Sequence, residues 1–170
     1  MLLIVTGAVG AGKTTVGYEV ATVLAARGIP HTFVDFDALT DTFPVPPDDR
    51  FQTRLALANL RDVWRNCEAA GSCNLIVAQV VETVAFRDAM VAAVGAPSSL
   101  LVRLRASVAT LQRRVAQRDA GSGLEWHIAR AAELAEQFER NDPSDLVIDV
   151  ADHSVIDLAR ELAGLVVWDT

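Results

Sequence analysis

An apolar run, a glycine-rich turn and a lysine, in that order, limit the folds open to this chain more than any other feature. Leu2-Leu3-Ile4-Val5-Thr6 is a continuous apolar stretch ending at Gly7, the pattern of a short strand buried on both faces. Gly7-Ala8-Val9-Gly10-Ala11-Gly12-Lys13-Thr14 follows it. Beyond the turn, Val16, Val20, Val23 and Leu24 recur along one face of a helix that closes near Gly28, with Pro30 beyond. A buried strand leading through a tight turn into a helix opens a βαβ unit. A strand without a polar face needs helices on both sides of its sheet.

The turn is also chemically specific. Its glycines let backbone N–H groups converge on an anion with no Cβ in the way, and the helix start adds the positive end of its dipole. Gly-x-x-x-x-Gly-Lys-Thr between a strand and a helix is the P-loop, a cradle for the phosphates of a nucleoside triphosphate. Gly7, Val9, Gly10, Ala11, Gly12, Lys13 and Thr14 form the expected nucleotide site, with Thr15 near the α-phosphate. Lys13 is expected to neutralise the β- and γ-oxygens and the Thr14 hydroxyl to ligate Mg²⁺, so ATP and Mg²⁺ are the expected cofactors.

The rest of the chain alternates in the same way. His31 to Phe36 reads as a second strand. A Pro-rich stretch, Phe43-Pro44-Val45-Pro46-Pro47, precedes a helix that Asp48 is placed to cap and that runs to about Ala70. Its buried stripe is Leu57, Leu60, Trp64 and Cys67. Leu75–Ala78 is a third strand, Phe86–Val94 a helix and Leu100–Leu104 a fourth strand. Val108–Gln117 is helical, Gly121-Ser122-Gly123 breaks it, and Leu124, Ile128, Ala131, Ala135 and Phe138 continue on one helical face. Leu146–Ile148 is a fifth strand and Val155–Leu165 a last helix. The expected fold is α/β: a three-layer P-loop NTPase fold of the nucleotide-kinase type, with a five-stranded parallel sheet and helices on both faces. Residues 1–170 read as a single domain with a short lid around 113–124.

In such sheets ligands gather beyond the carboxyl ends of the strands. Asp35 and Asp37 stand at the end of the second strand, and while the chain stays extended their side chains point the same way. One carboxylate can orient an acceptor hydroxyl and take its proton; another can hold Mg²⁺. Asp37 is read as the acceptor-side group and Asp35 as the metal-side group. The competing readings are that Asp37 caps the turn at Ala38 and Leu39, and that Asp35 pairs with Lys13 or another base. The acceptor pocket is expected between the second-strand loop and the following helix, lined by Phe36, Phe43, Arg50, Phe51, Arg54 and Asn59, with Gln79 and Glu82 beneath. Arg54 is placed for an anionic acceptor group.

These residues resemble the P-loop kinases of small metabolites. The run Asp37-Ala38-Leu39-Thr40-Asp41-Thr42-Phe43-Pro44 looks like the segment after the second strand of chloramphenicol phosphotransferase, and that resemblance gives Asp37 the role of catalytic base. The Asp-x-Asp pair is similar to adenylylsulfate kinase and shikimate kinase. Val80 to Asp88 resembles an adenylylsulfate kinase segment, but its order is Phe86-Arg87-Asp88 and no Ser-Pro is present. The sulfate-recognition elements are therefore not carried over. Strand three ends in Ala78-Gln79 where many P-loop proteins place an acidic residue, which leaves the metal contact to Asp35, or to Thr14, phosphates and waters. By the same resemblance Arg114 and Arg118, four apart on one helical face, belong to a lid that neutralises the transferred phosphoryl group; solvated arginines paired with acidic neighbours are the alternative, and Arg130 is a further candidate whose i+3 neighbour Glu133 offers a surface salt bridge. The resemblance also brings the backbone of the Asp149–Ser154 loop, at Ala151, against adenine.

Fifteen Lys and Arg against 22 Asp and Glu give a net charge of −7, which argues against a nucleic-acid partner. No stretch approaches the roughly 20 apolar residues of a membrane span, so a cytoplasmic protein, monomeric or homodimeric, is expected. Cys67 and Cys73 have no metal-ligand spacing to His31, His127 or His153. The activity implied is ATP-dependent phosphoryl transfer to a hydroxyl of a small metabolite or antibiotic. The alternative is a P-loop NTPase acting as a switch or assembly protein with no small acceptor.

Overall fold

The structure is a computed structural model that describes residues 1–118, 121, 123–151 and 153–170. Residues 119, 120 and 122 of the expected lid and its glycine-serine break, and Asp152 of the last loop, lie outside the described residues. Five strands form one sheet: β1 (Leu2–Thr6), β2 (Thr32–Asp35), β3 (Leu75–Ala78), β4 (Ser99–Arg105) and β5 (Leu146–Asp149). Their order is β2-β3-β1-β4-β5 and every pairing is parallel. Six α-helices among the described residues accompany the sheet: α1 (Lys13–Ala26), α2 (Thr53–Ala69), α3 (Val84–Val94), α4 (Val108–Arg118), α5 (Leu124–Arg140) and α6 (Val155–Leu165).

All five residues of β1 are buried, and the strand pairs on both sides. Alternation along β1 sends its side chains into two cores. Leu3 and Val5 join Val16, Val20 and Leu24 of α1 and Leu158 and Leu162 of α6. Leu2 and Ile4 join Leu60 and Trp64 of α2 and Met90 of α3. A central strand with two apolar faces therefore does require helices on both sides, as its composition predicts.

Two local expectations are corrected. Asp48 does not cap α2: the Asp49 Oδ2 accepts from the backbone N–H of Arg54 and Leu55 at 3.0 and 3.2 Å, satisfying orphan donors of the first turn. Strand two does not remain extended through Asp37 either. A short 3₁₀ helix begins at Phe36, so Asp35 and Asp37 do not share a direction by strand alternation. In the sheet β3 separates β2 from β1. No helix among the described residues is long and apolar enough to cross a membrane.

Candidate active site at the carboxyl edge of the sheet

The glycine turn is shaped as much by packing as by anything it could bind. Gly7 has φ +142°, and a Cβ there would stand 2.5 Å from the Leu104 carbonyl oxygen at the end of β4. Gly10, at φ +85°, would bring a Cβ within 2.7 Å of the Leu111 carbonyl on α4. Gly12 (φ +97°) faces open space, so only its left-handed backbone demands glycine. The loop is seated between β4 and α4, and α1 starts directly after it. The N–H groups of that first turn have no acceptor within the helix.

Lys13 Nζ donates to the Ala8 carbonyl at 3.2 Å, arching back over the turn. Removal from water lowers its pKa to about 8; Asp37 and Asp35 pull the other way, and Arg118 adds to the lowering. The Thr14 hydroxyl donates to Asp35 Oδ2 at 2.8 Å. Asp35 Oδ1 accepts from the Asp37 backbone N–H at 3.2 Å, so Asp35, not Asp37, caps the 3₁₀ turn. A hydroxyl whose proton is held by a carboxylate turns its lone pairs outward, and the pair presents the hard oxygen donors that Mg²⁺ takes. Among the described residues no cluster of three or more His, Cys, Asp or Glu side chains can hold a metal alone. That fits an ion held by one or two protein oxygens together with phosphates and water.

Asp37 opens onto the cavity, yet the protein packed around it raises its pKa. Lys13 lowers it, the Asp35 carboxylate raises it, and Gln79 and Arg118 lower it further. Gln79 is oriented by its own loop: its Oε1 accepts from the Val80 N–H at 2.6 Å. The buried Thr6 hydroxyl, at the end of β1, accepts from the Val81 N–H at 2.8 Å and fixes that loop to the sheet.

A cavity of about 600 Å³ joins these groups, a volume suited to small molecules. Of the residues singled out in the sequence, Val9, Gly10, Lys13, Thr14, Asp35, Phe36, Asp37, Phe51, Gln79, Glu82, Arg118 and Arg130 line it. Phe36 is buried and meets the Phe86 ring edge-on at 5.7 Å. The structure does not bring Arg54 there. Its guanidinium is held at the surface by the Asp48 carboxylate at 2.9 Å, a local partner that spacing alone did not weigh. Arg114 is likewise elsewhere: it donates to the Gly10 and Ala11 carbonyls at 3.5 and 3.3 Å, tying α4 to the glycine turn. Thr15 is exposed on α1 and does not line the cavity. Ala151 is exposed too, and its N–H is taken by Asp149 Oδ1 at 3.0 Å. Asn59 donates to the Leu39 carbonyl at 2.8 Å and steadies the 3₁₀ turn from α2.

On the wall supplied by α5, sequence reasoning weighed only Arg130 and missed Trp126 and His127. Trp126, His127 and Arg130 line the same cavity as Asp37 and Gln79. Arg130 pairs with Glu82, from the loop after β3, and with Glu133 at 3.0 Å. The i,i+3 spacing to Glu133 was visible in the sequence; the contact to Glu82 depends on the fold.

No protein-family model matches the chain, and no curated protein matches it. Solved structures do match its fold. An APS kinase of Mycobacterium tuberculosis, in complex with AMPPNP and APS, superposes with a TM-score of 0.64 at 23% identity, over 96% of this chain and 95% of that one. A gluconokinase of Sinorhizobium meliloti matches at a TM-score of 0.61 and 23% identity, over 95% of this chain and 89% of its own. A shikimate kinase of Acinetobacter baumannii, in complex with shikimate, matches at 0.57 and 19% identity, covering 96% and 91%. The fold is therefore the nucleotide-kinase-like P-loop fold, an α/β sandwich around a five-stranded parallel sheet.

Proposed function

We propose that this chain is an ATP-dependent kinase that moves the γ-phosphoryl group of Mg-ATP to a hydroxyl of a small metabolite or antibiotic. The observation that carries the reading is that one cavity holds Lys13 and Thr14 of the glycine turn together with Asp37, the carboxylate beyond the second strand. The kinases of similar fold, named for small acceptors, support the same class.

In this reading the residues divide into a donor side and an acceptor side. The glycine turn and the start of α1 bind the phosphates, and Lys13 places its charge on their oxygens. Thr14 and Asp35 are the groups that would hold Mg²⁺, which supplies charge neutralisation on the phosphates when bound. Asp37 orients the acceptor hydroxyl and takes its proton while the new oxygen–phosphorus bond forms. The bond from the γ-phosphorus to its bridging oxygen breaks, and ADP leaves. A carboxyl with a raised pKa is a stronger base for that step. Arg118, at the end of α4, places a guanidinium beside the transferred group.

The test is a screen of hydroxyl compounds for acceptor-dependent ADP release, with Asp37→Asn run beside the wild type. Loss of general-base help predicts a fall of roughly 10²- to 10⁴-fold in kcat with Mg-ATP binding retained. Undiminished turnover in Asp37→Asn removes that residue from the mechanism. ADP release indifferent to every acceptor favours an NTPase that needs none.

A further inference from the structure

The charges lining the cavity constrain the acceptor itself. Among the described residues that line it, the cations are Lys13, Arg118 and Arg130, and the carboxylates are Asp35, Asp37 and Glu82. Lys13 belongs to the glycine turn, and Arg118 ends α4, the helix tied to that turn through Arg114; Arg118 also lowers the Lys13 pKa, which sets both cations on the phosphate side. That leaves Arg130 as the cation facing the acceptor side, and its fork is already engaged at both ends. One terminal nitrogen meets Glu82 and the other meets Glu133. Arg130 and Glu82 are both half-buried, so an anion entering beside them must either displace a carboxylate or be desolvated next to one. Arg54, the other cation foreseen for this pocket, is neutralised by Asp48 outside it.

The remaining wall is aromatic. Phe36, Phe86, Phe51 and Trp126 line the same space, and Phe51 and Trp126 are 75% and 57% exposed. Exposed aromatic rings around a concave site are the usual mark of a ligand with an apolar body. Gln79, Thr53 and Thr83 supply uncharged hydrogen-bonding groups among them.

From this arrangement we propose that the acceptor is an uncharged, partly apolar alcohol, and that the Glu82–Arg130 pair excludes carboxylate- or phosphate-bearing acceptors. The proposal rests on the kinase reading and narrows it. Asp37 receives the reacting hydroxyl, the aromatic rings take the apolar face, and Arg130 acts through its pairing as a specificity residue. An anionic acceptor of equal shape loses binding because, among the described residues, no arginine or lysine on that side has an open fork.

Two measurements test it. The first compares paired acceptors that differ only in charge, such as alditols, methyl glycosides and aryl diols against the same skeletons bearing a carboxylate or phosphate. The readout is ADP release at fixed Mg-ATP. The expected result is a kcat/KM at least tenfold higher for the uncharged member. Preference for the anionic member overturns the proposal and leaves the kinase reading intact. The second measurement is independent of turnover: binding of the same compounds by ligand-observed NMR with Mg-ADP filling the donor side. Wild type is expected to bind the uncharged compounds and not the carboxylates. Glu82→Gln, which frees one end of Arg130, is expected to gain carboxylate binding by about tenfold, and Glu82→Gln with Arg130→Gln to lose it again. Carboxylate binding by the wild type that disappears in Arg130→Gln overturns the proposal. Failure of both classes to bind overturns it as well. Absent turnover with selective binding of uncharged compounds sinks the kinase reading alone.

Discussion

At the proposed phosphate site the Lys13 ammonium should make nucleotide affinity a function of pH in a window where most lysines are silent. Its pKa is lowered to about 8, first by removal from water and then by Arg118, against the pull of Asp37 and Asp35. A single site at that value is about nine-tenths protonated at pH 7 and about one-tenth at pH 9. Phosphate oxygens favour the charged form, so the complex holds the proton that the free protein is losing. The sign follows: association weakens as pH rises through 8, by about tenfold per unit above it, which is about 1.4 kcal/mol per unit. At pH 8 binding should take up about half a proton. Calorimetric titration with Mg-AMPPNP between pH 7 and 9.5, in buffers of differing ionisation enthalpy, reads both quantities. Two neighbours set the position of the limb. Asp37→Asn removes an attraction and should move it to lower pH, whereas Arg118→Gln removes a repulsion and should move it higher. Lys13→Arg, which stays charged, should abolish it. In turnover the limb should appear in kcat/KM for ATP and lie at higher pH in kcat, because bound phosphates restore the ammonium. An affinity constant from pH 7.5 to 9, with no proton uptake at pH 8, would falsify the account of Lys13.

Two further outcomes concern the seat of the glycine turn. Gly10→Ala forces a left-handed alanine, at about 1–2 kcal/mol, and pushes a methyl group against the α4 backbone, at about 1–3 kcal/mol more. Thermal unfolding should show a drop of roughly 5–15 °C, and a loss of under 2 °C refutes the contact with α4. Arg114→Gln removes a charged donor from the Gly10 and Ala11 carbonyls and should weaken Mg-ATP binding by roughly three- to tenfold. A fall in kcat with binding unchanged would instead place Arg114 on the transferred group.

Most of the fold could be read from periodicity because the strands carry short apolar runs and most helices one apolar stripe. Leu2–Thr6, Leu75–Ala78 and Val155–Leu165 stand where the pattern places them. The strand order could not be read, since nothing local in β2 says that β3 will lie between it and β1. The same distinction governs the site. Lys13 and Thr14, which line the cavity, could be picked out from a motif contiguous in sequence, and Asp37 from its place after a strand. Arg130 reaches Glu82 across 48 residues, a contact no spacing rule reports. Arg54 was misplaced for the opposite reason: Asp48, six residues away and equally exposed, offers a nearer partner than any acceptor. Local competition for a charge is decided by loop conformation, and the loop before α2 turns through Gln52 in a left-handed conformation that its sequence does not announce.

The glycines of the turn carry two requirements that the motif alone merges into one. A phosphate cradle needs converging N–H groups, and on that ground each glycine looks equivalent. Their surroundings separate them. At Gly7 and Gly10 the missing Cβ makes room for the backbone of β4 and α4, while at Gly12 the space beyond is open. Substitution at Gly12 therefore costs backbone strain at the mouth of the cradle, of about 1–2 kcal/mol, and leaves the packing intact. Substitution at Gly10 disturbs the helix that carries Arg114 and ends at Arg118. In the proposed kinase, phosphate affinity and the position of Arg118 should thus be coupled through the seat of the turn on α4, so that a change in that seat is felt on the proposed acceptor side of the cavity as well as at the phosphates.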